Sequence, residues 1–359
     1  MNPLRLITAL LLALCCATAQ AQIKIGSYVD CLWDGSQQIR NDDLPKLLDA
    51  GFNFFATQIT PDGLDTTKLD GKFLEACKAA KAEVLVERNT LTLQQFQQLA
   101  QKYPGVVTGL VIADDAHTLK PSDVTKLLTD AAAFMPSGVQ PYITVAKGAK
   151  HSDYAALGPN LRYGVQNYLG KSLDGGGLKV VAYDNMQAAR AVAKGALYTM
   201  PFLGKSSIPY FGRNDPVWRA QEYVQPSFNE SLIWLGLIAE CDGALYYTAY
   251  SIDFNNPKNY SRIGERWDLL PAYKSIHARI QSYAPFLQGT GVVKGRSVVG
   301  TSVIGTWTKP SGEVLTVSVD CGVELYPRVE WKVTQPTTPA SATFKVSSDG
   351  KSIAVEKLP

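Results

Sequence analysis

Eight times between residues 23 and 287, a short apolar run rich in strand-forming residues is followed by a stretch with helical spacing. This alternation constrains the fold more than any other feature. The apolar runs fall at residues 23–29, 52–59, 83–86, 106–113, 140–146, 161–169, 196–203 and 243–249. Near-continuous apolar runs are what strands need when helices cover both of their surroundings, as in a parallel sheet. The intervening helical stretches are 42–50, 69–81, 91–103, 122–134, a short piece at 153–157, 180–194, 227–240 and 269–287. In the second of them Phe73, Leu74, Cys77 and Ala80 recur on one helical face, and Gly51 is placed to end the first. Eight strand–helix units in about 265 residues are what a closed (β/α)8 barrel requires. An open doubly wound sheet is the competing arrangement, but no glycine-rich phosphate loop follows the first run.

The ends of the chain read differently. Arg5 precedes an apolar run at 6–17, and Ala19-Gln20-Ala21 fits a small-x-small cleavage site, so residues 1–21 read as a signal peptide and the protein as secreted or periplasmic. That run is too short to span a bilayer, and no other candidate span follows. Residues 22–288 then form the barrel domain. From 289 to 359 strand-like alternation persists around Ser311-Gly312 and Asp349-Gly350, which predicts a small C-terminal β-sandwich domain. The fold class is therefore α/β, a TIM barrel with an appended β domain.

Composition excludes several functions. Net charge is +3, and loss of Arg5 with the leader leaves +2, with no basic stripe to bind nucleic acid. Cys31, Cys77, Cys241 and Cys321 remain after the leader; their even number permits disulfides in three pairings, and their spacing fits no zinc pattern. His117, His151 and His277 are the only histidines and have no paired spacing, so neither a metal nor a cofactor is expected. Tyrosine is abundant, at 17 residues, and aromatic rings at strand ends could stack on sugars, although for any single ring core packing is the commoner explanation.

The fourth run carries the chemistry. Residues 106–117 read VVTGLVIADDAH, with six apolar residues among the first eight and then two adjacent carboxylates, Asp114 and Asp115. Carboxylates beside a fully apolar strand are costly unless paired or used. A helix N-cap is the plain alternative, but Pro121-Ser122-Asp123 already starts the next helix. Barrel active sites lie at the C-terminal ends of the strands. Those ends supply Tyr28, Asp30 and Trp33; Gln58; Glu87 and Arg88; Gln166, Asn167 and Tyr168; and Tyr247, Tyr250 and Asp253. The loop after the seventh strand adds Tyr210, Arg213, Asp215 and Trp218. Asp30 could equally cap a loop, and Glu87 could equally pair with Arg88 or a lysine at the rim. Without a Ser–His or Cys–His set, carboxylates, amides and rings fit glycoside cleavage best.

Residues 109–116, GLVIADDA, resemble the fourth-strand pattern G-x-x-x-x-D-E-P of secreted barrel glycoside hydrolases, with Asp115 at the usual Glu and Ala116 at the usual Pro. Residues 219–251, with Pro226-Ser227, Glu230 and CDGALYYTAYS, resemble the seventh-helix and eighth-strand region of the same group. The adjacent acids are similar to those of O-GlcNAcase-type hexosaminidases. That resemblance implies Asp114 as the residue orienting the substrate's acetamido group and Asp115 as the general acid/base. The seventh strand, LYTMPFLG, lacks the second glutamate of the two-glutamate retaining enzymes. Three readings stay open: substrate assistance through Asp114, inversion by Asp115 with Asp30 or Glu87, and an inactive barrel that only binds glycans. The expected partner in each is a carbohydrate.

Overall fold

The computed structural model describes residues 22–29, 36–146, 148–158, 160–167, 178–201, 226–247, 250–252, 260–262, 269–322, 328–335, 342–346 and 353–357. The expected signal segment lies outside them. Eight parallel strands close into a barrel in chain order: β1 (Lys24–Tyr28), β2 (Phe54–Thr57), β3 (Glu83–Glu87), β4 (Val107–Ala113), β5 (Gln140–Ala146), β6 (Arg162–Gln166), β7 (Leu197–Met200) and β8 (Gly243–Tyr246). Closure is made by β8 pairing back on β1, with Lys24 opposite Gly243 and Ser27 opposite Tyr246.

The surrounding helices are α1 (Ser36–Asp49), α2 (Leu69–Ala79), α3 (Leu93–Lys102), α4 (Pro121–Ala132), α5 (Asn185–Val192), α6 (Pro226–Ile238), α7 (Leu270–Ser282) and the short α8 (Ala284–Leu287). Three details differ from the sequence expectation. Helix α1 begins at Ser36 rather than at residue 42 and carries Pro45 in its interior. Among the described residues between β5 and β6 a single 3-10 turn, His151–Asp153, stands where a helical piece at 153–157 was expected. Helix α5 is preceded by a π-helical turn, Lys179–Asp184.

Inside the barrel, Tyr28, Phe54, Leu85, Val111, Tyr142, Tyr198, Met200 and Leu245 form a packed stack. Gly164 makes room for it: a Cβ there would lie 2.1 Å from the Tyr142 hydroxyl and 2.7 Å from the Met200 sulfur. The N-terminal end is closed by polar side chains. Lys24 and Thr108 donate to Glu83 at 2.7 and 2.8 Å, and Arg162 donates to Gln140 at 2.7 Å and to Thr108 at 3.1 Å.

Beyond the barrel, β11 (Val293–Val299), β12 (Ser302–Thr308), β13 (Val314–Asp320) and β14 (Arg328–Thr334) form an antiparallel sheet, with β15 (Ala342–Val346) and β16 (Ile353–Lys357) in a separate pair. After β8, β9 (Tyr250–Ile252) and β10 (Tyr260–Arg262) make a small antiparallel pair. Alternate residues of β12 and β13 are buried: Val303, Gly305 and Trp307, then Leu315, Val317 and Val319. The turn between these strands contains Gly312 at φ 86°, a left-handed conformation that favours glycine. The sheet packs on α6, which explains why that helix is buried nearly all round. Trp234 sits at the centre, its ring centroid 6.4 Å from Trp307 and 6.1 Å from Trp331. Nearby, Arg279 donates to both oxygens of the buried Glu230 at 3.0 Å and stacks on Trp331 at 4.6 Å.

Cys77, Cys241 and Cys321 are buried free thiols, so no disulfide joins them; Cys31 lies outside the described residues. Among the described residues no helix is long and apolar enough to cross a membrane.

His277 ties α7 to the first unit. Its Nδ1 donates to the Ala50 carbonyl at 2.7 Å, and Nε2 faces the Tyr246 hydroxyl at 3.2 Å. Burial pushes its pKa down to about 4. The imidazole is therefore neutral in the fold but takes a proton in the unfolded chain below its ordinary value of 6.5. Stability is lost as pH falls from that value toward the folded one. Urea unfolding followed between pH 7 and pH 4 is expected to show a loss of about 3 kcal/mol from this group, and His277→Gln should flatten that part of the slope.

Candidate active site at the C-terminal end of the barrel

Alternation along the strands determines which side chains reach the barrel mouth. On β5, Tyr142 points into the interior stack, while Ile143 and Val145 face the helices, so Thr144 occupies the next inward position. The same count on β6 turns Tyr163 and Val165 outward and Gln166 inward. On β2 and β3 the residues above Ala56 and Leu85 on the inner face are Gln58 and Glu87.

β4 departs from this regularity in a useful way. Its register against β5 shifts between Val111 and Ala113. Val111 belongs to the interior stack, and both Ile112 and Ala113 belong to the outer core. A bulge adds one residue and re-aims the side chains that follow. Asp114 is thereby directed to the inner face, where its Oδ1 accepts a hydrogen bond from Thr144. Asp115 follows in a left-handed conformation, φ 52° and ψ 41°, which is uncommon for any residue with a Cβ. Its backbone N–H donates to Thr144 Oγ1 at 2.9 Å, and its Oδ1 accepts from Gln166 Nε2 at 2.6 Å. Gln166 Nε2 also lies 3.2 Å from Thr144 Oγ1. Bulge and turn together bring two sequence neighbours onto one cluster, which a regular strand would have separated.

Neither carboxylate serves as a helix cap. The 3-10 turn Ala116–Thr118 and helix α4 both start without a side-chain cap bond. The carbonyl of Asp115 does the bracing instead, accepting from the Thr118 backbone and hydroxyl at 2.8 Å each. Both aspartates are exposed at the strand ends, yet neighbouring protein partly displaces water from the Asp114 carboxyl. That burial raises its pKa; the Thr144 hydroxyl opposes the rise, and the neighbouring Asp115 charge adds to it.

Across the mouth, Gln58 Nε2 donates to Glu87 Oε2 at 2.9 Å. The end of β2 is held from behind by a buried ion pair. Arg40 reaches Asp70 at 2.7 Å and the Gln58 carbonyl at 3.2 Å, while Asp70 accepts from the Thr60 backbone and hydroxyl at 2.8 and 2.6 Å. Tyr28 is buried rather than offered to the cleft; its ring lies against that of Tyr247, centroids 5.6 Å apart. Asn167 turns away from the mouth and donates to Thr199 at 2.9 Å. Of the remaining candidates, Asp30, Trp33, Tyr168, Tyr210, Arg213, Asp215, Trp218 and Asp253 lie outside the described residues.

Thr144 is absent from the candidates found in the sequence, since a β-branched residue in the buried run ITVA reads as core. The available signal was its parity with Tyr142 at a strand end. Among the described residues no group of three His, Cys, Asp or Glu side chains could hold a metal ion.

No protein-family model matches the chain, and no curated protein matches it in sequence. Solved structures do match its fold. A glycoside hydrolase is similar with a TM-score of 0.58 at 11% identity, over 83% of this chain and 79% of that one. A family 5 glycoside hydrolase from Bacteroides vulgatus gives 0.51 at 11%, over 82% and 76%. The trehalulose synthase MutB from Pseudomonas mesoacidophila gives 0.52 at 10%, over 94% and 95%. At these identities the likeness shows a shared barrel fold.

The raised pKa of Asp114 has a measurable consequence. Its carboxylate is less favourable in the fold than in the unfolded chain, so ionisation costs stability once pH exceeds the ordinary carboxylate value. Asp114→Asn should unfold at a higher temperature than the parent at pH 7, and scanning calorimetry should show the difference shrinking as pH falls toward 4.

Proposed function

We propose that the chain is an exported glycoside hydrolase, with residues 22–288 as the catalytic barrel and 289–359 as an accessory β domain. The observation that carries this reading is the convergence of Asp114 and Asp115 on Thr144 and Gln166 at the strand ends. There Asp114 accepts from the Thr144 hydroxyl and the Asp115 backbone N–H, and Asp115 accepts from Gln166 through Oδ1. The barrel neighbours lend support through fold alone.

The surroundings favour a division of roles opposite to the one implied by the hexosaminidase resemblance. A carboxyl whose proton affinity is raised holds a proton more readily than an ordinary one, which suits the general acid, and here that group is Asp114. Asp115, fixed through one oxygen by Gln166, is suited to orient the substrate. On an N-acetylhexosaminide, the substrate's acetamido oxygen attacks C1 as the glycosidic bond breaks, and Asp114 protonates the departing oxygen. Water then opens the cyclic intermediate, returning its proton to Asp114. Gln58, Glu87, Gln166 and Tyr247 are proposed as described substrate contacts, joined by Asp30, Trp33, Tyr168, Arg213 and Trp218; Tyr28 supports the site from beneath. The proposed source of substrate is a bacterial or environmental polysaccharide.

Aryl N-acetylhexosaminides of differing leaving group test this division. Asp114→Asn is expected to lose about 10²–10⁴-fold on a poor leaving group and to recover on dinitrophenolate, which needs no acid. Asp115→Asn should lose activity on both. Recovery of Asp115→Asn instead would restore the roles implied by the resemblance. Glycan binding without hydrolysis, undisturbed by either substitution, would mark an inactive binding barrel.

A further inference from the structure

Thr144 lies between the two acids, on neither of their elements, and is fully buried. Its hydroxyl has one proton to give and two lone pairs to receive with. Both lone pairs are engaged, by the Asp115 backbone N–H at 2.9 Å and the Gln166 amide at 3.2 Å. The single proton is therefore directed at the remaining neighbour, Asp114 Oδ1. Gln166 is committed in the same way, since its Nε2 lies 2.6 Å from Asp115 Oδ1 and 3.2 Å from Thr144 Oγ1 and carries two hydrogens to serve both. The Asp115 N–H is shared between Thr144 and the Asp114 carboxyl, while the Thr144 proton has one direction. Asp114 Oδ1 must accept, because a second proton between it and Thr144 would place two hydrogens on one bond.

We propose that Thr144 is a positioning residue that fixes Asp114 as the acceptor at Oδ1, leaves Oδ2 as the only oxygen that can carry the transferable proton, and locks the left-handed turn at Asp115. The reacting proton is thereby confined to the oxygen away from β5. The hydroxyl also stabilises the charged form of Asp114 and so limits how tightly the proton is held, which lets the group release it as well as hold it. Its significance for catalysis rests on the glycosidase reading; its effect on the carboxyl does not.

The test separates the two. Infrared difference spectra of the ligand-free protein, with Asp114→Asn identifying the protonated carboxyl band, follow the titration of Asp114 directly. In Thr144→Val, an isosteric change that removes the donor, the midpoint should move up by about one pH unit. Thr144→Ser should restore it, and Thr144→Ala supplies the same comparison should the valine variant not fold. If the chain hydrolyses aryl N-acetylhexosaminides, the alkaline limb of kcat should move in the same direction in Thr144→Val and return in Thr144→Ser, with KM changed much less. An unchanged midpoint in both donor-less variants, or an equal shift in Thr144→Ser, overturns the proposal. A shifted midpoint with no hydrolysis of any glycan upholds Thr144's role and rejects the glycosidase reading instead.

Discussion

Two carboxyl groups follow a strand that is buried along its whole length, and the polar hydrogens within reach determine what those carboxyls can do. Val107–Ala113 has no exposed residue, so the chain leaves a dry environment and meets the charges of Asp114 and Asp115 within two residues. Such charges are tolerated only where hydrogen bonds replace the water they lose. Thr144 and Gln166 provide those bonds from the next two strands. Strand bulge, left-handed turn and neighbouring polar residues thus act as one device.

The rest of the molecule keeps the geometry of that device fixed. A barrel positions side chains through strand register, so anything that holds the strands holds the mouth. At the opposite end, Lys24, Glu83, Thr108, Gln140 and Arg162 link β1, β3, β4, β5 and β6. Behind β2, the Arg40–Asp70 pair fixes the backbone from which Gln58 projects. A third brace lies behind β6. Nε2 of His151 contacts Asn185, Asn185 donates to Asn167, and Asn167 donates to Thr199, so that a chain of side chains ties α5 to the ends of β6 and β7 in addition to their backbone ladder. The C-terminal sheet adds to this from outside, since Trp307 and Trp331 close over Trp234 on a helix that would otherwise expose an apolar face.

Much of this was legible in the sequence, for identifiable reasons. Parallel strands covered by helices need long apolar runs, and those runs survive in composition; the barrel follows from counting them. The acid pair stood out because ionisable residues rarely abut such a run. Other features depend on geometry that spacing does not encode. The register shift at Val111–Ala113 leaves no mark in VIADD, although it decides where Asp114 points. Thr144 looks like any β-branched strand residue until its parity with Tyr142 is counted. Tyr28 reads as a ring available to a sugar, yet the narrow interior takes it into the stack with Tyr247. The polar stretch before residue 42 gave no helical apolar spacing, yet α1 begins at Ser36.

The central claim is that Asp114 and Asp115 face one substrate-sized cleft and engage the same sugar. A crystal structure of the protein soaked with a thiazoline analogue of an N-acetylhexosamine tests it most directly. The account predicts the sugar at the C-terminal mouth, with a carboxyl oxygen of each aspartate within hydrogen-bond distance and Thr144 still joining the pair. A ligand bound elsewhere, or a mouth-bound sugar with both carboxyls turned away into bulk water, would contradict it.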